Sequence, residues 1–358
     1  MTLTTILIFS GFLLGGMSMS LIINGLLLHF SKSLGIRNNQ DFVIRWNSEA
    51  KPSLGGISFF ISFLFAIILY AIVFGNVETF RSVQLLGLFS AGSLAFLMGL
   101  GDDAYNTRPL LKLVAQIICG LAIALTGTNI EFFDSSFLNG IITIIWVVGV
   151  MNSINMLDNM DGISTSVSIF ILAACAGSNI LIYGFDNSIS LVLIFSLIGT
   201  LIGFLFYNWH PSKLFMGDAG SQFIGFILAY FAIDPLWNSA NHFQDHSWLG
   251  MLVCLVAFTP AASDTLTVFI NRISRNQSPM KGGKDHTTHH LVYKGLSEKK
   301  VLLTFFSLST VSCILAISMV YFISQRNSLL VCLFSVFFLV TFCSLFYITK
   351  KYKQPRND

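Results

Sequence analysis

Polar side chains that could perform chemistry are concentrated in clusters that border or interrupt long apolar runs. The acidic and amide clusters are Asp102–Asp103, the set Asn152, Asn155, Asp158, Asn159 and Asp161, and Gly217–Asp218. A charged group at mid-membrane costs on the order of 2.5–3.5 kcal/mol on insertion scales, so polar groups in apolar surroundings indicate function. Helix capping would explain Asp161 before Gly162, but not Asn152 and Asn155 inside an apolar run. The second cluster is therefore expected to bind a polar ligand.

The first and third clusters each have two interpretations. Adjacent carboxylates repel each other, so Asp102 and Asp103 indicate a metal ion or a raised pKa. They would equally form a solvated pair balanced by Arg108 and Lys112. Asp218 lies at a glycine-rich helix start, where it could hold a metal beside a phosphate, cap the helix, or do both.

A fourth polar feature is a loop that holds three of the seven histidines. His286 and His290 are one helical turn apart, so a zinc pair is conceivable, but no Glu follows the first His as a zinc-protease helix requires. With Lys284 alongside, anion binding by His286, His289 and His290 is the better interpretation. Asp264, in the preceding apolar run, is either an interhelical hydrogen-bonding group or a functional one.

The elements that must position these groups are long apolar segments. The chain is 54% hydrophobic and 10% charged. Apolar runs of roughly 20 residues predict an all-α polytopic integral membrane protein of about 11 transmembrane helices, in a single domain over residues 1–358. The expected spans are 4–28, 54–75, 84–100, 110–127, 138–156, 162–184, 188–207, 219–233, 248–270, 301–324 and 328–349. A β-barrel is not expected, because runs such as residues 57–74 are continuously apolar rather than alternating.

The basic residues predict the orientation of these spans. All Lys and Arg except Arg81 and Arg326 fall on one side of the expected spans. The positive-inside rule makes that side cytoplasmic, with the N-terminus outside and the C-terminus inside. The loops on that side that carry the polar clusters are 30–53, 101–110, 156–162, 208–219 and 271–300. Because the basic residues are dispersed and lack aromatic platforms, no nucleic-acid partner is expected.

All four clusters therefore map to one membrane face. Carboxylates for a hard divalent cation, together with cationic and helix-terminal groups for oxyanions, meet the requirements of phosphoryl transfer on a diphosphate. A site at the bilayer further implies a lipid partner. The rival classes are a membrane transporter, which would have inverted repeats and polar groups at mid-membrane, and a membrane zinc hydrolase.

Five sequence motifs, in order between residues 51 and 295, carry a resemblance to a known family. They are Pro52 with Gly55–Gly56, Gly101–Asp103 with Lys112, residues 152–162, Phe215–Ser221, and the histidine loop that ends at His289–His290. The chain resembles the polyprenyl-phosphate N-acetylhexosamine-1-phosphate transferases of glycosyltransferase family 4, both the WecA-like and the MraY-like branches.

The resemblance implies an activity and its partners. A sugar 1-phosphate, expected to be GlcNAc-1-phosphate, would pass from a UDP-N-acetylhexosamine to undecaprenyl phosphate, with release of UMP, to start a lipid-linked cell-surface glycan. Mg²⁺, or Mn²⁺, is the expected cofactor. The protein would be a multi-pass protein of the bacterial inner membrane with its site facing the cytoplasm, and a homodimer is compatible with this expectation.

The same resemblance implies roles for individual residues. Asp218 looks like the principal metal ligand with Asp103 beside it, and Asp102 looks like the base that prepares the lipid phosphate for direct attack. A two-step route through an aspartyl intermediate also suits these residues. The expected substrate-binding residues are Lys112, Asn152, Asn155, Asp158, Asp161, Gly217, Lys284, His286, His289 and His290.

The histidine loop departs from both branches of the family. Residues 284–291 differ from the His-x-His-His form of the WecA-like branch and from the His-His-His-Phe-Glu form of the MraY-like branch. The missing Phe-Glu argues against the muramyl-pentapeptide donor of MraY, which remains the alternative within the family. A UDP-N-acetylhexosamine is therefore the expected donor.

Overall fold

The computed structural model describes residues 3–31, 51–75, 82–185, 189–278 and 283–353. Across these residues every regular element is a helix and no strand is found, which confirms the predicted all-α class. An apolar segment in lipid must satisfy its backbone hydrogen bonds internally, and a helix does so within one segment. Of the predicted active-site loops, residues 32–50 and 279–282 lie outside the described part of the chain.

The helices of the described residues pack against one another in one bundle. In chain order they are α1 (Leu3–Phe30), α2 (Gly55–Phe74), α3 (Val83–Tyr105), α4 (Pro109–Leu125), α5 (Ser136–Leu157), α6 (Ile163–Tyr183), α7 (Ile189–Asn208), α8 (Gly217–Ala232), α9 (Trp248–Ala257), α10 (Thr259–Ile273), α11 (Thr287–Tyr293), α12 (Glu298–Ser324) and α13 (Ser328–Lys351). A π-helical turn (Ile233–Trp237) and a short helical turn (Ser239–His242) continue α8.

Two of the predicted spans are not simple crossings. Residues 248–270 form α9 and α10, which are bent by 87°, because Pro260 in the first turn of α10 lacks an N–H and clashes with a preceding helical turn. α4 has 17 residues, fewer than the roughly 20 that cross the hydrocarbon core. The described residues thus hold 9 helices suited to crossing a membrane, or 10 with the bent pair, in agreement with the predicted polytopic architecture.

α8 is the central helix of the bundle. Nearly all of its residues are buried, and it packs against α2, α3, α5 and α6. A helix that is apolar on all sides needs neighbours on all sides, whereas α1 and α13 keep many apolar side chains exposed at the periphery. The start of α8, which carries Asp218, is consequently enclosed by other helices.

Glycines allow two of these neighbours to touch the backbone of α8. A Cβ on Gly56 of α2 would collide with the backbone of Gly220, and a Cβ on Gly99 of α3 would collide with the backbone of Asp218. The segment before α2 is joined to the segment before α8 by backbone hydrogen bonds, including Gly55 N to Phe215 O at 3.0 Å. Any side chain at these glycines would displace the first turn of α8.

We expect Gly99→Ala to destabilise the protein, because the added methyl group would overpack a backbone contact at a cost of roughly 1–3 kcal/mol. The measurement is the apparent Tm of the detergent-solubilised protein. Gly149→Ala in α5 is the matched control, because a Cβ there meets nothing within 4 Å; alanine's higher helix propensity should leave that Tm unchanged or slightly raised. Equal Tm values for both variants would contradict the close approach of α3 to α8.

Candidate active site

Lys112 links two of the predicted acidic residues. Its Nζ is 3.1 Å from Asp218 Oδ2 and forms an ion pair with Asp102 Oδ2. Asp102 is buried near the end of α3, where its Oδ1 accepts hydrogen bonds from Thr107 N and Thr107 Oγ1 at 2.8 and 2.7 Å. Those bonds fix the turn between α3 and α4. The structure therefore brings Asp102, Lys112 and Asp218 into direct contact.

Asp103 caps α8 from another helix. The backbone N–H groups of Asp218 and Ala219 donate to the two carboxylate oxygens of Asp103 at 3.0 and 2.9 Å, while Met216 at the N-cap position forms no side-chain cap. Gly217 has φ of +73°, and a Cβ there would lie 2.8 Å from Asp103 Oδ2. The amides that a phosphate would use at this helix start are thus already bonded to Asp103.

The two amides of α5 have different partners. Asn155 Nδ2 donates to Asp218 Oδ1 and to Ser221 Oγ, both at 2.8 Å, so it belongs to the same cluster. Asn152 Nδ2 instead donates to Gln116 Oε1 and to Val148 O, both at 2.8 Å. The donors of Asn152, predicted to bind substrate, are therefore used between helices.

Asp161 forms a second polar group with the loop before α8. It accepts from Ser212 Oγ at 2.7 Å and from Ser212 N at 3.0 Å, and Lys51 Nζ is 4.0 Å away. His210 Nδ1 lies 3.1 Å from Asp161 Oδ2 and 3.5 Å from Glu298 Oε2. Within the described ranges, Asp161, His210 and Glu298 are the residues whose ligand atoms all lie within 4.8 Å of one another.

Asp264 organises the histidine loop. It is completely buried and accepts from His286 Nδ1 at 2.8 Å, from Thr287 N at 2.7 Å and from Thr287 Oγ1 at 2.6 Å. Thr288 Oγ1 then donates to Asn159 Oδ1 at 2.6 Å, which joins the loop to the turn after α5. This turn begins with Asp158, the first residue beyond α5. The role of Asp264, left open by the sequence, is to position this loop.

The other two histidines of the loop are buried. His289 is buried, and burial together with the neighbouring His286 lowers the pKa of His289 to about 3. Burial also lowers the pKa of His290, whose Nδ1 bonds to the carbonyl of Tyr352. A neutral imidazole offers hydrogen bonds rather than positive charge, so the lowered pKa of His289 favours hydrogen bonding over ion pairing at this position. Anion binding by His286, His289 and His290 stays a prediction.

The base of the loop is held by an ion pair. Arg272 binds Asp285 through two hydrogen bonds, Nε to Oδ2 at 3.0 Å and a terminal guanidinium nitrogen to Oδ1 at 2.7 Å. Burial would raise the pKa of the Asp285 carboxyl, but the Arg272 guanidinium outweighs it and holds that pKa below its usual value. Lys284 is adjacent, and its carbonyl accepts from Tyr293 OH at 3.1 Å. This paired geometry anchors the loop on α10.

The carboxylates of the first cluster fit a hard divalent cation. Asp102 and Asp218 each direct an oxygen at the same Lys112 ammonium, so they converge on one cationic position. Carboxylate and amide oxygens are the ligands that Mg²⁺ prefers, and the Asn155 amide is also in contact with Asp218. Asp103, predicted as a metal ligand, already accepts the backbone N–H groups of Asp218 and Ala219 through its two carboxylate oxygens.

Sequence reasoning missed several residues that the structure adds to these groups. Gln116 and Gln222 form a buried hydrogen bond of 3.0 Å below the carboxylates, and each lies four residues after a predicted site residue in an apolar helix. That spacing of one helical turn places each glutamine on the same helix face as a predicted site residue, and this could have been recognised from the sequence. His210 and Glu298 could not have been joined to Asp161 from the sequence, because their contact depends on how α12 packs beside the loops.

The fold and the site define a polytopic membrane protein with a carboxylate and lysine cluster at one end of its helices. Residues 85–235 match the model of glycosyl transferase family 4. That range extends from α3 to the π-helical turn and contains Asp102, Lys112, Asp161 and Asp218. Over these residues the chain is similar to that family.

Relatives from several bacteria are similar to most of the chain. A Bacillus subtilis protein named probable undecaprenyl-phosphate N-acetylglucosaminyl 1-phosphate transferase is 28% identical over 84% of this chain and 80% of its own length. A decaprenyl-phosphate N-acetylglucosaminephosphotransferase of Mycolicibacterium smegmatis is 29% identical, over 71% and 68%. A phospho-N-acetylmuramoyl-pentapeptide-transferase of Listeria monocytogenes is 26% identical, over 76% and 84%.

We expect Asp264→Asn to loosen the histidine loop. The amide would present a donor where the carboxylate accepts three hydrogen bonds, leaving at least one buried donor unsatisfied at a cost of about 1–3 kcal/mol. Limited digestion with trypsin should then cut faster after Lys284. Asp134→Asn, at an exposed position between α4 and α5, is the control; equal digestion rates for the two variants would exclude the positioning role.

The lowered pKa of His289 predicts a pH dependence of stability. The folded protein disfavours protonation, whereas in the unfolded chain the ordinary value is about 6.5. This contribution is therefore complete above pH 6.5 and is lost progressively as the pH falls towards 3. The apparent Tm should fall between pH 7 and pH 5 in the wild type and fall less in His289→Gln, with His246→Gln at an exposed site as control. The same fall in all three proteins would contradict the assignment.

Proposed function

We propose that this protein transfers N-acetylhexosamine 1-phosphate, with UDP-GlcNAc as donor, to undecaprenyl phosphate. An oxygen of the lipid phosphate attacks the sugar-linked phosphorus of the donor, UMP leaves, and a lipid-linked diphosphate sugar remains as the first intermediate of a cell-surface glycan. The observation that carries the proposal is the shared contact of Asp102 and Asp218 with Lys112. It is supported by the alignment over 84% of the chain with a relative named for this transfer.

A second candidate reaction is phospho-N-acetylmuramoyl-pentapeptide transfer, for which the Listeria relative is named. The residues after the last histidine of the loop favour the hexosamine donor instead. Leu291 and Val292 occupy these positions, where the MraY-like branch carries Phe-Glu. Val292 has no carboxylate, so it cannot replace the Glu of the MraY-like branch.

The proposed site faces the cytoplasm of a bacterial inner membrane. Support comes from the ends of the helices: α3, α5 and α7 end beside the polar clusters, and α4, α6 and α8 begin there. Lys112, Lys213, Arg272 and Lys284 all belong to that end, as the positive-inside rule requires of a cytoplasmic face. A nucleotide sugar made in the cytosol can then meet a lipid phosphate at the bilayer surface.

In the proposed mechanism Asp218, with Asp103 beside it, would hold a divalent cation, Mg²⁺ or Mn²⁺, and Asn155 orients Asp218. Such an ion, when bound, neutralises phosphate oxygens and supports the charge of the leaving UMP. Direct attack by the lipid phosphate is favoured over an aspartyl intermediate, because both carboxylates already have positively charged or hydrogen-bonding partners that reduce their nucleophilicity.

The remaining residues of the chain have positioning and proton-transfer roles. Asp102, held by Thr107, takes the proton of a singly protonated lipid phosphate, and a base of this kind contributes about 10²–10⁴-fold. Lys112 then turns its charge towards the diphosphate. Asp161, near Lys51 and Ser212, lies on the nucleotide side with Asp158. The histidines of the loop contribute hydrogen bonds to the sugar or its phosphate.

The test is incubation of the purified protein with undecaprenyl phosphate, Mg²⁺ and a panel of UDP-sugars, with UMP release and the lipid product measured by mass spectrometry. We expect UMP release with UDP-GlcNAc. Asp102→Asn should reduce kcat by about 10²–10⁴-fold, because the base is lost. Asp218→Asn should abolish nearly all turnover, because the principal metal ligand is lost.

Asp134→Asn is the control variant for this assay and should turn over like the wild type. Removal of metal with EDTA should stop the reaction, and Mg²⁺ without Zn²⁺ should restore it, which separates the proposal from a zinc hydrolase. Failure to release UMP from every UDP-sugar would overturn the proposed function. Uptake of a solute into proteoliposomes without any such release would support a transporter instead.

A further inference from the structure

A second layer of polar side chains lies one helical turn into the membrane from Lys112 and Asp218. Gln116 Nε2 donates to Gln222 Oε1 at 3.0 Å, and Asn152 Nδ2 donates to Gln116 Oε1 at 2.8 Å. Gln116 and Gln222 are each 1% exposed. Neither glutamine has a part in the proposed chemistry, and the residues that follow each of them in its helix are apolar.

The second layer lies on the same three helices as the first layer, which consists of Lys112 on α4, Asn155 on α5 and Asp218 on α8. Gln116 follows Lys112 by four residues on α4, and Gln222 follows Asp218 by four residues on α8. On α5, Asn152 precedes Asn155 by three residues. Residues three or four apart share one face of a helix, so the contacts of Lys112 and Asn155 with Asp218 are followed, one turn deeper, by an amide chain joining the same helix faces.

Two contacts one turn apart restrict helices more than one contact does. A single ion pair between long side chains tolerates sliding and rotation, because the side chains can follow. A second, short contact about 5.4 Å further along the axes removes that freedom. Amides suit this depth, because they bond across helices without placing another charge in the membrane or competing with Lys112 for its carboxylates.

We propose that Gln116 and Gln222 are positioning residues that fix the register of α4 against α8, and thereby hold Lys112 at Asp218. Asn152 extends this register to α5. The proposal deepens the proposed function and rests on it, because the register matters for transfer only if Lys112 and Asp218 belong to the site. It assigns Asn152 to the positioning layer rather than to substrate.

The test uses Gln116→Met, Gln222→Met and the double variant, because methionine nearly matches glutamine in length. Each single variant leaves one buried amide without its partner and should lower the apparent Tm. The double variant removes both amides, and Asn152 keeps its bond to Val148 O, so Tm should recover. By contrast, kcat of the double variant should stay about 10–100-fold below that of the wild type, while KM should stay within about twofold of the wild-type value. The reason is that a small displacement of Lys112 from Asp218 lowers the rate.

The control variant is Trp146→Phe. It removes a hydrogen bond of 3.0 Å from Trp146 Nε1, in the middle of α5, to Ala229 O, near the far end of α8. Its Tm should fall while kcat stays at the wild-type value. A double methionine variant that recovers both Tm and kcat would overturn the positioning role, since the amides would then contribute only stability.

A second measurement does not depend on the reaction. Labelling of Lys112 by an amine-reactive ester, followed by mass spectrometry, should be several-fold faster in the double methionine variant than in the wild type and unchanged in Trp146→Phe. Equal labelling in all three proteins would also overturn the inference. A wild-type protein that releases no UMP would count against the proposed function alone. The labelling rate of Lys112 would still test whether the glutamines fix the register of α4 against α8.

Discussion

The start of α8 depends on a carboxylate that comes from a different helix. A helix that begins beside the membrane presents N–H groups without partners inside the helix, and its dipole favours a negative charge there. Asp103 of α3 accepts two of these N–H groups, and the absence of a side chain at Gly217 leaves room for it. Because Asp218 is one of the two residues bonded in this way, its position follows from that cap. The glycine contacts of α2 and α3 then hold the same turn from outside.

Charge decreases with depth along the helices that carry the site. At the ends of the helices Lys112 lies between two carboxylates, so each ion has a partner of opposite charge. One turn deeper the polar groups are the uncharged amides of Gln116 and Gln222. This order agrees with the cost of a charge in hydrocarbon, which increases towards the bilayer centre. Reactive groups thus remain near water, while neutral groups supply contacts between helices.

The sequence predicted the helices and part of the site for separate physical reasons. Long apolar runs must be helical in lipid, so the spans followed from composition, although the bend at Pro260 was not foreseen. Asp102 and Asp218 were recognisable as charges beside apolar runs. The partners of Asp264 and Asp161 were not recognisable, because contacts between residues far apart in the chain depend on how the helices pack. Packing also explains the burial of His289, which lowers its pKa.

The ion pairs of Lys112 also have a consequence for the order of assembly during membrane insertion. Asp102 and Lys112 belong to consecutive helices, so they can pair as soon as α3 and α4 have entered the bilayer. Asp218 belongs to α8 and is synthesised about a hundred residues later. In a chain whose helices insert before they associate, the first pair shields an early intermediate from an unpaired charge. The arrival of α8 then completes the cluster of Asp102, Lys112 and Asp218, before α9 to α13 are added to the bundle.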